Sequence, residues 1–371
     1  MNNFIHDPIL NNIQLSENAL KIIDHPYFDR THHINQLGCT YRIFPSATHS
    51  RKSHMIGTYA ITFSLLEHLS KYTHINNHTK ELISIGGLVH DIGHTAGSHL
   101  FDKHVLSQLV KENILSNDND WLIHENRSKI LFRIIGKEIN LSDEDIEFVC
   151  QVIDPSPENS EKWQFSIVNN KQHGIDTDKF DYILRDNYFL GLKLNINLSQ
   201  IIKNSRIIDN KWAFNKNIQD ELFNVFFVRY RLFKLLTQPQ IIKFDLSYRN
   251  IILKSNKLRK EIIDIFKNKN IDGFVKLTDS YILHYGDKKY VKEFYKRTTY
   301  KYITQDNNNN ENIEDVTFNI NICKKNNDAL ANIIFFDPKT NKKCLIHKNI
   351  VNLPSKESLS YFFQFQNCQF K

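Results

Sequence analysis

The chain has 371 residues, of which 41% are hydrophobic and 24% charged; Gly (11) and Pro (8) are scarce. This is the composition of an ordinary globular protein, large enough for one big domain or two, and the shortage of Gly and Pro favours helices. The net charge of +7 and pI near 8.9 suit a polyanionic ligand, nucleotide or nucleic acid, and also suit a generic soluble protein.

The five cysteines, Cys39, Cys150, Cys323, Cys344 and Cys368, show no CxxC or other paired spacing, which reads as reduced thiols. The N-terminus lacks the charged and apolar regions of a signal peptide, and no apolar run is long enough to span a bilayer. A soluble intracellular protein, cytoplasmic or nuclear, with no membrane contact is expected.

In chain order, Asp7-Pro8 opens an extended or turn segment. Leu15 to Phe28 carries apolar residues at helical spacing, with Ser16 as the N-cap. A link, Gln36 to Pro45, precedes a helix expected from Ser50 to Tyr72, in which Met55, Tyr59, Phe63 and Leu66 recur at spacings of three and four. Lys80 to Asp91 is the next helix. His124-Glu125 opens another through Ile135, with Gly136 as its stop. Ser142 caps an apolar run through Ile153, and Asp154-Pro-Ser-Pro157 breaks it. Gly174 to Asp186 begins with a turn and runs into a helix, and Leu222 to Leu236 is rich in aromatics and expected to be buried.

Tyr290 to Tyr302 reads as helical, and 305–313 as a flexible Asn-rich loop. Val316 to Ile322, Ala331 to Phe336 and Lys343 to His347 read as strands, and Ser355 to Phe365 as a closing helix. The expected fold is therefore mainly α: a helical core over 1–285 and a small C-terminal α+β lobe over 286–371.

The chemistry concentrates in Leu82-Ile-Ser-Ile-Gly-Gly-Leu-Val-His90-Asp91-Ile-Gly-His94, followed by His99. On a helix, His90 and His94 share a face and Asp91 neighbours His94. A lone His on an apolar helix is usually a satisfied core residue. A His-Asp doublet with further His at +4 and +9 is harder to explain by packing, because Asp is almost never buried without a partner. Imidazole and carboxylate together suit a divalent transition ion that activates water. The candidate ligands are His54, His90, Asp91 and the distant Asp178. His94, His99, His124 and Glu125 form a second layer able to transfer protons or orient one another. Arg51, Lys179 and Arg229 are candidates for phosphate contacts, although Arg51 and Lys179 taken singly read as surface side chains.

These residues resemble the HD phosphohydrolase superfamily. The flanking text is similar to the SAM- and HD-domain dNTP triphosphohydrolases: Ile22-Ile-Asp-His-Pro-Tyr-Phe-Asp-Arg30, Gln36-Leu-Gly38, Phe44-Pro-Ser-Ala-Thr-His-Ser-Arg51, Leu88-Val-His-Asp-Ile-Gly-His94, Ser98-His-Leu-Phe-Asp102, and Gly174-Ile-Asp-Thr-Asp-Lys-Phe-Asp-Tyr-Ile-Leu-Arg-Asp186. The similarity runs from Asp7 nearly to the C-terminus and is weaker after Leu236, in a form expected to lack the SAM domain.

The resemblance implies hydrolysis of a dNTP to deoxynucleoside and inorganic triphosphate, by metal-activated water attacking the α-phosphorus. It implies one Fe, Mn or Zn ion on His54, His90, Asp91 and Asp178, with Mg accompanying the nucleotide. His99 would be the acid on the leaving oxygen with Asp102 nearby, and His94, His124 and Glu125 would complete the catalytic set. Arg51, Lys179 and Arg229 would meet phosphates, Gln36 and Asp186 the sugar 3′-OH, and Tyr182 and Leu37 the 2′ position, excluding ribonucleotides. Asp24, Arg297 and Lys301 match a GTP/dNTP effector site, and a homodimer or homotetramer is implied.

Two groups of departures stand out. Phe233 and Thr237 replace a His and a Tyr of the family beside the phosphate-binding Arg. Asp29, His32, Gln200 and Gln240 replace Gln, Arg, Arg and Lys at the effector site. Loss of cations there is expected to weaken, alter or remove effector activation. The alternatives are an HD phosphohydrolase acting on another nucleotide (a monophosphate, ribonucleotide or second messenger), or a non-catalytic nucleotide- or nucleic-acid-binding protein. Weak nucleic-acid binding could accompany either.

Overall fold

A computed structural model of the chain describes residues 3–297, 300–303, 313–321, 330, 332–344 and 356–365. It opens with a hairpin, β1 (Phe4–Asp7) and β2 (Asn11–Gln14), antiparallel with Ile5 opposite Ile13. Helix α1 (Glu17–Asp24) follows, and Ser16 caps it by accepting from the Ala19 amide. The helix expected through Phe28 is broken. His25 precedes Pro26, which disfavours helical backbone, and lies extended at φ −70°, ψ 134° before a short turn, Pro26–Asp29.

Helices α2 (Arg51–Leu69) and α3 (Asn77–Val89) pack along each other, capped by Ser50 and Asn76. The pair spans two apolar clusters. Met55, Tyr59, Leu88 and Val89 face one, while Leu65, Leu66 and Ile83 face the other with Phe180 and Trp212. Because α3 stops at Val89, the His90-Asp91 doublet stands just beyond its end.

Helix α4 (His124–Glu138) runs past the expected stop at Gly136. That glycine lets α5 (Asp143–Ile153) come close, since a Cβ on it would lie 2.7 Å from Ile146 Cγ1. Ser142 caps α5 as expected. Helix α6 (Thr177–Phe189) is capped by Asp176 and packs on α2. Then come the hairpin β3 (Ser205–Ile208) and β4 (Lys211–Asn215), and helices α7 (Gln219–Leu236), α8 (Pro239–Lys254), α9 (Asn256–Asn268) and α10 (Lys288–Tyr295).

The C-terminal part is mostly sheet. Strands β5 (Tyr300–Ile303), β6 (Ile313–Asn321) and β9 (Lys356–Phe365) form an antiparallel sheet in the order β5-β9-β6. β7 (Ile334–Phe336) and β8 (Lys343–Cys344) join the other sheet, β3-β4-β7-β8, with β7 parallel to β4. Two helix expectations fail here. The helix expected from Tyr290 to Tyr302 gives way to strand at Tyr300. The closing helix expected over Ser355 to Phe365 is strand β9, where Tyr361, Phe362, Phe363 and Phe365 supply the aromatic side chains that favour strand. The Asn-rich loop lies, but for Ile313, outside the described residues, as do Cys323, Cys368, Ala331 and 345–347. The architecture is a predominantly helical core with a small C-terminal sheet lobe. Among the described residues no helix is long and apolar enough to cross a membrane.

Candidate active site

Four side chains from three segments converge. His54 comes from the first turn of α2, His90 and Asp91 from the turn after α3, and Asp178 from the first turn of α6. His54 Nε2 lies 3.3 Å from His90 Nε2. Asp178 Oδ1 is 3.2 Å from the first nitrogen and 3.4 Å from the second, and Asp91 Oδ2 is 3.7 and 3.4 Å from them. Two ligands bound to one ion at about 2.1 Å each stand roughly 3.0–3.4 Å apart. Both imidazoles are also turned for the task. His54 donates from Nδ1 to Asp181 Oδ2 at 2.7 Å, and His90 from Nδ1 to the Gly87 carbonyl at 2.9 Å. Each Nε2 lone pair therefore faces the shared centre. Two nitrogens and two carboxylates fit a divalent first-row ion. Burial alone would raise the Asp91 carboxyl, but His90 and Arg51 beside it hold it well below the ordinary range.

The expected helical face shared by His90 and His94 does not exist. The carbonyls of Ile92 and His94 accept from Arg30 Nη2 at 2.7 and 2.8 Å, and that of Gly93 accepts from Arg127 Nε at 2.8 Å. Buried guanidinium groups thus replace helical amides as donors, and the chain leaves the helix. His94 nevertheless reaches Asp91 from its own turn, with Nε2 3.4 Å from Asp91 Oδ1.

His94, His99 and His124 form a second group close enough to hold an ion or pass a proton. His94 is fully buried, stacks on His124 with ring centroids 4.1 Å apart, and meets the His99 ring edge-on at 4.7 Å. Burial, with Arg51 and His124 nearby, holds His94 well below its usual pKa, so it is neutral at pH 7. Asp102 sits on a π-helical turn, Phe101–Leu106, and accepts from Arg127 Nη2 at 2.7 Å. Its other oxygen is 3.6 Å from His124 Nδ1. Glu125 Oε2 lies 3.3 Å from that same nitrogen.

A cavity of about 410 Å³ opens onto both groups. Its walls include Gln36, Leu37, Arg51, His90, Asp91, His99, His124, Glu125, Asp178, Lys179, Tyr182, Asp186 and Arg229. His94 and Asp102 stand behind the wall rather than in it. Lys179 is paired with Asp176 at 2.6 Å. Phe233 lies under the Arg229 guanidinium, 5.1 Å from ring centre to carbon, and the Thr237 hydroxyl donates to the Phe233 carbonyl at 2.7 Å. Asp24 and Arg297 do not line this cavity. Asp24 is exposed at the end of α1, Arg297 donates to the Arg42 carbonyl at 3.2 Å, and the Lys301 side chain lies outside the described residues. Asp29 is paired with Lys52 at 2.5 Å.

Residues not singled out from sequence support this site. Asp181 orients His54. His49 holds Asp186 through Nε2 at 2.8 Å and stacks on Phe189. Arg127 ties Gly93 to Asp102. Asp181 was legible as the carboxylate three residues after Asp178, one helical turn on; His49 and Arg127 carried no local signal.

A smaller annex of about 130 Å³ shares Gln36, Leu37, His99, Phe233 and Leu236 with the cavity and ends at Lys103 and Asp245. Burial pushes the Asp245 carboxyl up to about 7, against hydrogen bonds from Cys39 that lower it. An acid whose folded pKa stands above its unfolded value of 3.8 binds extra protons when folded, so folding loses stability as pH rises from about 4 through 7. The melting-temperature advantage of Asp245→Asn over the parent is therefore expected to grow by about 2–4 °C between pH 5 and pH 8. A constant difference in thermal scans across that range would show that this carboxyl titrates normally.

Comparison with known proteins agrees with this geometry. The HD domain family matches residues 51–184. An HD domain-containing protein, L394, of Acanthamoeba polyphaga mimivirus is 33% identical over 294 residues, 73% of this chain and 61% of that protein. Human deoxynucleoside triphosphate triphosphohydrolase SAMHD1 is 31% identical over 265 residues, 64% of this chain and 42% of that one. The SAMHD1 homolog of Dictyostelium discoideum is 26% identical over 319 residues, 81% and 60% of the two chains. The chain thus spans about two to three fifths of the length of these relatives. Residues 51–184 match the HD domain family and carry a His/Asp site consistent with metal binding and phosphohydrolase chemistry, and the chain has moderate-identity homology to SAMHD1-family proteins.

Proposed function

We propose that this protein hydrolyses deoxynucleoside triphosphates to deoxynucleoside and inorganic triphosphate. One observation carries the reading: His90, Asp91 and Asp178, with the buried His54 directly behind them, and the exposed face of His99 open onto the same cavity as Gln36, Tyr182 and Asp186. Iron, manganese or zinc on the four ligands would lower the pKa of bound water and polarise the phosphoryl oxygen, with magnesium accompanying the nucleotide. Arg51, Lys179 and Arg229 bind the phosphates. Gln36 and Asp186 hold the sugar 3′-OH, and Tyr182 with Leu37 closes the 2′ position against a hydroxyl.

His99 gives a proton to the leaving 5′ oxygen. Although one face is open to the cavity, the protein packed around its other side, with Arg51, Lys103 and His124 near, lowers its imidazole from the usual range. A bound triphosphate opposes that depression with its own negative charge and makes the imidazolium available as a strong acid. His94, His124, Glu125 and Asp102 keep the ring oriented.

Effector activation through Asp24, Arg297 and Lys301 is weakened, altered or absent in this reading, because Asp29, His32, Gln200 and Gln240 supply no fixed cation. The expected assembly is a homodimer, or a homotetramer where effector binding survives. A second reading, an HD phosphohydrolase on another nucleotide, is favoured by Phe233 and Thr237. One is packed under Arg229 and the other bonded back to its own helix, so neither offers a polar contact to phosphate.

The test is incubation of the purified protein with each dNTP, with and without GTP and Mn²⁺, and chromatographic separation of products. Deoxynucleoside plus intact triphosphate is expected without GTP. Strict dependence on GTP would overturn the regulatory reading. Turnover of a monophosphate or ribonucleotide in place of every dNTP would establish the second reading.

A further inference from the structure

Behind His54 runs a buried chain of charges that ends at the N-terminal hairpin. Asp181 Oδ2 accepts from His54 Nδ1 at 2.7 Å and from Arg185 Nε at 2.9 Å, and Asp181 Oδ1 accepts from Arg185 Nη2 at 2.8 Å. Arg185 Nη1 then donates to Asp7 Oδ2 at 2.8 Å. Asp7 closes the hairpin turn, because its Oδ1 accepts from the Ile9 and Leu10 amides at 2.9 Å each. The side chains of His54, Asp181, Arg185 and Asp7 are between 0 and 6% exposed. Gly57 seals the chain from α2: a Cβ there would lie 1.8 Å from Asp181 Oδ1 and 2.3 Å from Arg185 Nη2. The line is almost wholly removed from solvent, so each charge is compensated chiefly by its neighbours.

We propose that Asp7 and Arg185 are positioning residues for the metal site, and that order in the hairpin Phe4–Gln14 is coupled to metal loading. This rests on the reading of His54 as a metal ligand. The physical link is short. Arg185 bonds Asp181 with two nitrogens of its planar fork while Asp7 anchors the third, so Asp7 fixes the plane in which the fork meets Asp181. Asp181 in turn keeps the proton on His54 Nδ1, which leaves Nε2 as the ligand atom. Loss of Asp7 leaves Arg185 with an unmet buried donor and frees Asp181 to rotate away from His54. Coupling is reciprocal: an ion that fixes His54 also favours the seated hairpin.

The test is metal affinity by chelator competition, together with hydrogen exchange of amides 4–14 with and without Mn²⁺. Asp7→Asn keeps the turn-capping oxygen but turns an amide donor toward Arg185. It is expected to weaken metal binding about tenfold, the lower end for outer partners of a metal ligand. In the parent, metal is expected to slow exchange in the hairpin, and this slowing is expected to vanish in Asp7→Asn. Arg185→Lys, which keeps the charge but not the fork, is expected to weaken binding similarly. Equal affinity in parent and variants, or hairpin exchange indifferent to metal, overturns the proposal. The exchange measurement on the parent decides it even where a variant fails to fold. An affinity change without any dNTP cleavage would leave this coupling standing and remove the proposed substrate.

Discussion

Replacing Asp91 with alanine is expected to lower triphosphate release by about 10³-fold or more, since the site's metal stabilises the transition state by several kcal/mol and each 1.36 kcal/mol is tenfold in rate. The carboxylate is shared between two groups. Its Oδ2 faces His54, His90 and the Arg51 guanidinium, and its Oδ1 faces His94 and His124 at 3.4 and 3.7 Å. Removal takes away a proposed ligand and leaves Arg51 buried beside the two imidazole groups without its anion. Metal content per protomer should fall along with activity. Asp91→Asn, which keeps the volume and loses the charge, should show the same pairing of losses. Wild-type release from a metal-depleted Asp91→Ala protein would place the chemistry elsewhere.

The second large effect is at His99. Alanine there is expected to cost about 10²–10⁴ in turnover, the range for a positioned general acid, while metal affinity stays near that of the parent. His99 bonds none of the four candidate ligands; it meets the His94 ring edge-on and opens onto the cavity. A leaving group that departs without a proton separates this role from simple binding. With a p-nitrophenyl triphosphate ester, His99→Ala should recover most of the lost rate. If the ester is cleaved as poorly as the dNTP, His99 acts in binding or packing rather than as the acid.

Local chemistry made much of this protein legible. Ser16 and Ser142, the caps expected from sequence, and Ser50, Asn76 and Asp176 cap helices because their side chains satisfy amides that the first turn leaves unpaired. Periodicity marked the apolar series of α2, although Phe63 of that series is exposed, and the types and spacing of His54, His90, Asp91 and Asp178 were enough to nominate a metal group. Local pattern failed where the decisive neighbour is distant in sequence. Gly136 looked like a stop, but it is a contact point for Ile146. Residues 356–365 carry apolar residues at spacings that satisfy either period, and pairing with β5 and β6 makes them strand.

The sequence by itself determined which side chains can bind a metal and transfer a proton, because chemical type and short-range spacing are properties of the chain alone. Only the tertiary structure decided how they meet. Arg30 and Arg127 take the carbonyls of Ile92, Gly93 and His94 and end the helix at the doublet. Asp181 and Gly87 select the ring nitrogen that each ligand histidine presents. Asp7 reaches across 178 residues to Arg185. Each is a buried polar group that must find a partner away from water, and folding brings that partner from a distant part of the chain.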